Sequence, residues 1–324
     1  MSSIDKIKAP IASEMQEFEK SFRASLKTNV SLLGIITSYI LKRKGKQMRP
    51  MFVFLTASLN GKINKSTHNA AALIELMHTA TLVHDDVVDE SFERRGFFSV
   101  NALWKNKISV LIGDYFLAQG LLLAVRDKEF RLLEIVSDAV KEMSEGELLQ
   151  IEKARRLDIT EEIYFEIIRK KTATLLAACA VAGSVSAGAD EEKAGLMKSF
   201  GEHVGIAFQL KDDLFDFQKK NLAGKPTGND IKEKKLTLPL IQALKSAAES
   251  EKRIIMNTIR DPKINSKKIN EVMDFVLQTN GIQYTEEKMI NHRDSALNIL
   301  KQFPDNPARE SLEELVNYTV LRKK

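Results

Sequence analysis

A chain of 324 residues with 44% apolar and 29% charged residues can bury a substantial core and is too apolar for disorder. Only 15 glycines and 7 prolines are present, too few for a turn-rich β protein. The formal charge of +5 suits anionic ligands or a membrane surface without demanding nucleic acid, and the basic residues read as spread along the chain.

In chain order, the N-terminal MSSIDKIKAP holds no long apolar run, so neither a signal peptide nor a membrane anchor is expected. Residues 66–90, STHNAAALIELMHTATLVHDDVVDE, predict a helix of six or seven turns with Ser66 or Thr67 as N-cap. Leu73, Met77, Thr81 and Val88 fall near one stripe of it. Helical spacing continues over 107–125, 129–154, 160–186, 191–218, 236–259, 266–302 and 306–321, and no strand pattern is found. The single Cys179 excludes an internal disulfide and, inside AACAVAG, reads as a small core residue of a cytoplasmic protein. Residues 218–235, QKKNLAGKPTGNDIKEKK, are polar and carry Gly224, Pro226 and Gly228, which predicts a mobile loop between helices. After Arg322, Lys323 and Lys324 read as a solvated tail.

One pattern recurs. HDDVVD at 84–89 returns 127 residues later as KDDLFD at 211–216, each closing an apolar helical stretch. Residues four apart share a helix face, so Asp85 and Asp89 point the same way, as do Asp212 and Asp216. Like charges so placed repel, and the arrangement costs stability unless a cation binds. Mg²⁺ fits, because it accepts one or two carboxylates together with water and substrate phosphates. Cations stand nearby in sequence: Lys46 and Arg49 in GKQMRP, Arg94 and Arg95 in ERRG, Lys171 in RKKTAT, and Lys225 and Lys235 in the loop. Arginine matches phosphate in bidentate fashion and lysine acts as a point charge, so a diphosphate ligand is implied. No phosphate-cradling GxxxxGK[ST] loop occurs.

These pieces resemble the trans-isoprenyl diphosphate synthases, also called polyprenyl synthetases. GKQMRP, ELMHTATLVHDDVVDESFERRG, LIGDYFLA, SEGELLQI, KTATLLAACA, GIAFQLKDDLFD and GKPTGNDIKEKKLTLPLIQA stand in the family's order and spacing. The resemblance implies one all-α domain over 1–324, a bundle of antiparallel helices around a deep central cavity, and a homodimer. It implies Mg²⁺-dependent head-to-tail condensation of isopentenyl diphosphate with an allylic diphosphate. By position, Asp85 and Asp89, supported by Asp86, would hold Mg²⁺, and Asp212 a further Mg²⁺ with help from Asp213 and Asp216. Arg94, Lys171, Lys225 and Lys235 would contact the allylic diphosphate, with Thr172 and Gln209 near the reacting carbons. Lys46, Arg49, His78 and Arg95 match the isopentenyl-binding positions; His84 has no assigned role.

Departures from the family pattern are Lys44, Gln47, Phe97-Phe98 and Lys234, and none removes a charged ligand. A terpene cyclase, a head-to-head synthase or a catalytically silent partner subunit would usually have lost one of the Asp motifs or the cation set, and a shorter-chain farnesyl or geranylgeranyl diphosphate synthase is the other alternative. Chain length in the family is gauged along the first motif's helix. Ala80 and Thr81 are small and Met77 is flexible, which predicts a tail of roughly thirty carbons or more. Such a product implies peripheral contact with a membrane on release, without a transmembrane segment.

Overall fold

A computed structural model describes residues 3–42, 45, 47–94, 96–218 and 227–322. Lys46, Arg95 and Lys225, together with the rest of 219–226 in the predicted loop, lie outside these residues. The chain forms two compact units. The first comprises Met1–Val140, Ala178–Lys198 and Phe303–Leu312; the second comprises Lys141–Ala177, Ser199–Gln302 and Glu313–Lys324.

The first unit opens with α1 (Ser3–Lys8), α2 (Ala12–Ser25), α3 (Ser31–Lys42) and α4 (Met48–Asn60). The long α5 (Lys65–Val88) follows, and then α6 (Val100–Arg126). The start of α5 differs from the expectation. Its N-cap is Asn64, whose side chain accepts the Thr67 N–H while the Thr67 hydroxyl accepts the Asn64 N–H. Thr67 therefore sits inside the helix as the returning half of a capping box. The apolar stripe also ends early: Leu73 and Met77 are buried, whereas Val88 is exposed. Between α5 and α6 lies the sole pairing of strands among the described residues, β1 (Glu93–Arg94) against β2 (Phe97–Phe98). It is too short for a period-2 pattern to reveal, and Gly96 closes it at φ +76°.

Close approach of α5 to α6 depends on two glycines. A Cβ on Gly113 would strike the His84 ring, and one on Gly120 would crowd Met77 and Leu73. Among the described residues α6 is the one helix long and apolar enough to cross a membrane, with a mean hydropathy of 1.8 over its most apolar stretch. About a third of that stretch is buried within the protein.

The chain continues through α7 (Phe130–Arg156), α8 (Glu161–Ile168), a π-helical turn at Arg169–Ala173, α9 (Thr174–Ser186) and α10 (Glu191–Asp216). Then come α11 (Asn229–Lys232), α12 (Leu238–Ser246), α13 (Glu249–Arg260), α14 (Ser266–Leu277), α15 (Gly281–Leu300) and α16 (Pro307–Leu321). Two stretches predicted as single helices are thus pairs, broken at Ala247–Ala248 and at 278–280. At the second break Gly281 packs on the Pro239 carbonyl, leaving no room for a side chain. Gly201 and Gly205 do the same for α10 against Ala177 and Ala173, which brings the second Asp motif's helix hard against the Lys171 segment. Cys179 is fully buried and burial pushes its thiol up to about 12, as befits an inert core residue.

α10 and α15 are also joined by two histidines, His203 and His292, with Nδ1 atoms 2.9 Å apart. One ring must donate to the other, so both cannot be charged. Burial lowers both pKa values, that of His292 to about 4, helped by His203 and Lys288. Below pH 6.5 the unfolded imidazole takes up a proton that the native one refuses. The stability from this pair is complete above about pH 6.5 and is lost as the pH falls towards about 4. Melting temperatures across that range should fall more steeply for the parent than for His292→Phe. Parallel curves would show that the pair contributes nothing to acid sensitivity.

Candidate active site

The first Asp motif ends α5. Asp85 is exposed in the last turn, Asp89 is the C-cap and exposed, and Asp86 is 4% exposed. The Asp86 carbonyl accepts from Asn101 and from the Ser91 N–H, which fixes the helix end to the following loop. Beside it opens a 190 Å³ cavity lined by Arg49, Glu75, Thr79, Asp86 and the hairpin residues Phe97 and Phe98. Arg49 is held there in a bidentate pair, Nε to Glu75 Oε1 at 3.1 Å and Nη2 to Oε2 at 3.2 Å. Glu75 therefore presets the guanidinium, and sequence reading missed it because its partner lies 26 residues away. His78 is half-buried on the same helix. His84 lies against Gly113 with Nε2 3.3 Å from the Val110 carbonyl, a packing role. Arg94 is placed in β1 by its backbone.

The predicted chain-length residues lie deeper on α5. Ala80 and Met77 are buried and Thr81 is half-buried. The Met77 sulfur occupies the space that Gly120 leaves empty on α6.

In the second unit, α10 delivers the second motif into a continuous hydrogen-bond chain. Thr172 Oγ1 donates to Gln209 Oε1 (2.9 Å), and Gln209 Nε2 donates to Asp213 Oδ1 (2.8 Å). Tyr164 then donates to Asp213 Oδ2 (2.5 Å). Asp213 is 3% exposed, and its carboxyl is pushed up to about 8 by burial and by Asp230, against the pull of Tyr164 and Gln209. Asp230 rises to about 7 through burial and the charge of Asp216. Asp216 spends both oxygens on the start of α11, accepting the N–H groups of Asn229 (3.1 Å) and Asp230 (3.0 Å). Asp212 accepts from Arg322 Nη2 at 2.5 Å, and the guanidinium stacks 4.0 Å from the Phe208 ring centroid. The Arg322 side chain is 13% exposed, and the two lysines that follow it lie outside the described residues.

Lys171 and Thr172 project from the π-helical turn, where the Thr174 N–H reaches back five residues to the Arg169 carbonyl. Lys171 is paired with Glu147 and donates to Gln150 at 3.3 Å. Lys235 is paired with Glu233 (2.5 Å) and raised in pKa despite its burial. Tyr164, Glu147 and Arg322 carry no short-range signal, since each meets its partner across the fold.

The donor set fits hard divalent cations: the oxygens are carboxylates, and burial first, then neighbouring carboxylate charge, lifts Asp213 and Asp230. Carboxylates beside fixed cations are the kind of donor set that suits a divalent metal and a diphosphate group.

Residues 30–276 match the family described as polyprenyl synthetase, and the chain belongs to that family. It is 34% identical over 322 residues to the octaprenyl diphosphate synthase of Escherichia coli (strain K12), covering 99% of both chains. A decaprenyl diphosphate synthase structure from Rhodobacter capsulatus superposes with a TM-score of 0.93 at 35% identity, covering 99% of both. A polyprenyl synthase from Caulobacter crescentus, complexed with calcium and isoprenyl diphosphate, matches at TM-score 0.91 and 32% identity, over 99% of this chain and 98% of that one. The all-α fold expected from the sequence is the fold of these polyprenyl synthases.

Tyr164→Phe removes the hydroxyl that supports the buried Asp213. It should cost about 1–3 kcal/mol of unfolding free energy in urea titrations, with less effect when Asp213 is already Asn. Equal losses in the two backgrounds would show that the bond carries no coupling.

Proposed function

We propose that this protein extends an allylic diphosphate by repeated head-to-tail condensation with isopentenyl diphosphate, giving a long-chain all-trans polyprenyl diphosphate. The observation that carries this reading is whole-chain similarity to long-chain synthases combined with two intact Asp-Asp-x-x-Asp motifs, each at the end of a long helix.

Ionisation of an allylic diphosphate leaves a carbocation and a diphosphate anion, so the developing negative charge must be met by fixed positive groups. Asp85, Asp89 and Asp212 would hold Mg²⁺, which when bound supplies charge against the departing diphosphate. Lys171, kept in place by Glu147 and Gln150, and Lys235 present ammonium groups for the same anion. Thr172 donates its hydroxyl hydrogen to Gln209, which leaves its oxygen lone pairs available to positive charge developing on carbon. Arg49, oriented by Glu75, binds the isopentenyl diphosphate at the cavity beside α5. The allylic carbon then bonds to the isopentenyl double bond and a proton leaves, taken up by the diphosphate itself. No nucleophilic serine or cysteine is needed.

We infer a homodimer, supported by the exposed Leu103, Val110, Leu111, Leu121, Leu122 and Val125 on α6. The reduced, buried Cys179 supports a cytoplasmic location.

Incubating the purified protein with farnesyl diphosphate, isopentenyl diphosphate and Mg²⁺, and sizing products by mass spectrometry, tests the reading directly. Asp85→Asn and Asp212→Asn should each lower turnover by about a hundredfold or more while the protein stays folded. Turnover close to the parent's would remove these residues from the metal sites.

Tail length is set along α5, where Ala80 is small and Met77, packed against Gly120 of α6, is flexible enough to move aside. Ala80→Phe should cut products to roughly fifteen or twenty carbons, because a pocket holds only what its walls admit. A folded, active variant that still makes the parent's product would place the tail elsewhere.

A further inference from the structure

The basic residues are not evenly spread, contrary to the expectation from composition. Residues 20–74 hold ten Lys and Arg and no Asp or Glu, while the rest of the chain is net acidic. Within that segment lies α3, whose apolar residues do not all face inward. Ile36 and Leu41 are buried, but Leu32 is 46% exposed and Ile35 59%, as is Val30 just ahead of the helix at 59%.

Leu32, Ile35 and Tyr39 follow one another at helical spacing on a single stripe, with Lys42 beyond them and Lys27 ahead of α3, both exposed. The stripe does not stop at the helix. The Tyr39 hydroxyl donates to the Phe98 carbonyl (2.7 Å), and its ring stands edge-on to Trp104. Phe97 and Phe98 are themselves about half exposed, and both line the cavity that holds Arg49. An apolar band bordered by lysines therefore runs from α3 to the rim of that cavity.

We propose that the α3 stripe and the β1–β2 hairpin form a docking face for an anionic lipid surface, lying in the headgroup region and placing the cavity rim against the membrane. The inference rests on the proposed polyprenyl product, whose apolar tail has no soluble destination. Charge selects the occupant. A short apolar stripe flanked by lysines is the pattern of an interfacial helix, and each basic residue near an anionic leaflet adds to binding. A second copy is the weaker occupant, because a two-fold interface would set this acid-free segment against itself.

Flotation of the full-length protein with vesicles, without substrates, tests this. The parent should float with equimolar phosphatidylcholine and phosphatidylglycerol, less with phosphatidylcholine alone, and less as salt rises. Leu32→Ser/Ile35→Ser should weaken binding by about tenfold at an unchanged melting temperature. Lys27→Ser/Lys42→Ser, which leaves the apolar stripe whole, should remove the preference for the anionic vesicles. A parent that never floats, or variants that float as it does, would overturn the docking face. A drop in mass by light scattering on Leu32→Ser/Ile35→Ser would overturn it too, assigning the face to a partner copy. A protein that floats yet makes no polyprenyl product would instead refute the proposed function alone.

Discussion

Carboxylates gathered at the ends of two long helices are the constraint around which this protein is arranged. The C-terminal turn of a helix already carries partial negative charge from its unpaired carbonyls. Placing Asp85 and Asp89 at the end of α5, and Asp212, Asp213 and Asp216 at the end of α10, adds like charge where it is least welcome. A structure keeps such an arrangement only by answering each oxygen or by reserving it for a cation.

In α10 the answers are divided. Asp216 is absorbed by the backbone of α11, so it serves as a cap that anchors a short helix. Asp213 is buried and met by Tyr164 and Gln209, and through Gln209 it fixes Thr172. Asp212 remains partly exposed and meets Arg322. Three neighbouring aspartates thus stand in three different settings: a cap, a brace for neighbouring side chains, and a partly exposed carboxylate paired with an arginine. In α5 the division is simpler. Asp86 turns inward while Asp85 and Asp89 remain exposed on one face.

What the sequence revealed followed from periodicity and spacing. The helices containing both Asp motifs, the buried Cys179, and the small residues of α5 were all legible because 3.6-residue patterns and local repeats are short-range information. The cap of α5 was misplaced by two or three residues because Asn64, Ser66 and Thr67 are all capable caps; reciprocal bonding chose among them. Breaks at 247–248 and 278–280 were invisible because neither contains Pro or Gly inside the gap. The partners that orient the site, Glu75, Glu147, Tyr164 and Arg322, were illegible for another reason. Each is an unremarkable residue until the fold brings it to Arg49, Lys171, Asp213 or Asp212.

The π-helical turn at Arg169–Ala173 has a consequence for how this site can change over generations. A π turn holds one residue more than an α turn in the same rise, and that surplus rotates everything downstream by about 100°. Lys171 and Thr172 lie within the turn, and α9 leaves it already packed against α10 through Ala173 and Ala177. Loss of a single residue here would let the segment relax into an ordinary helix. Thr172 would then turn away from Gln209, or α9 would lose its seat on Gly201 and Gly205. Substitutions can be sampled one at a time at these positions, but the length of the segment is locked by two contacts at once.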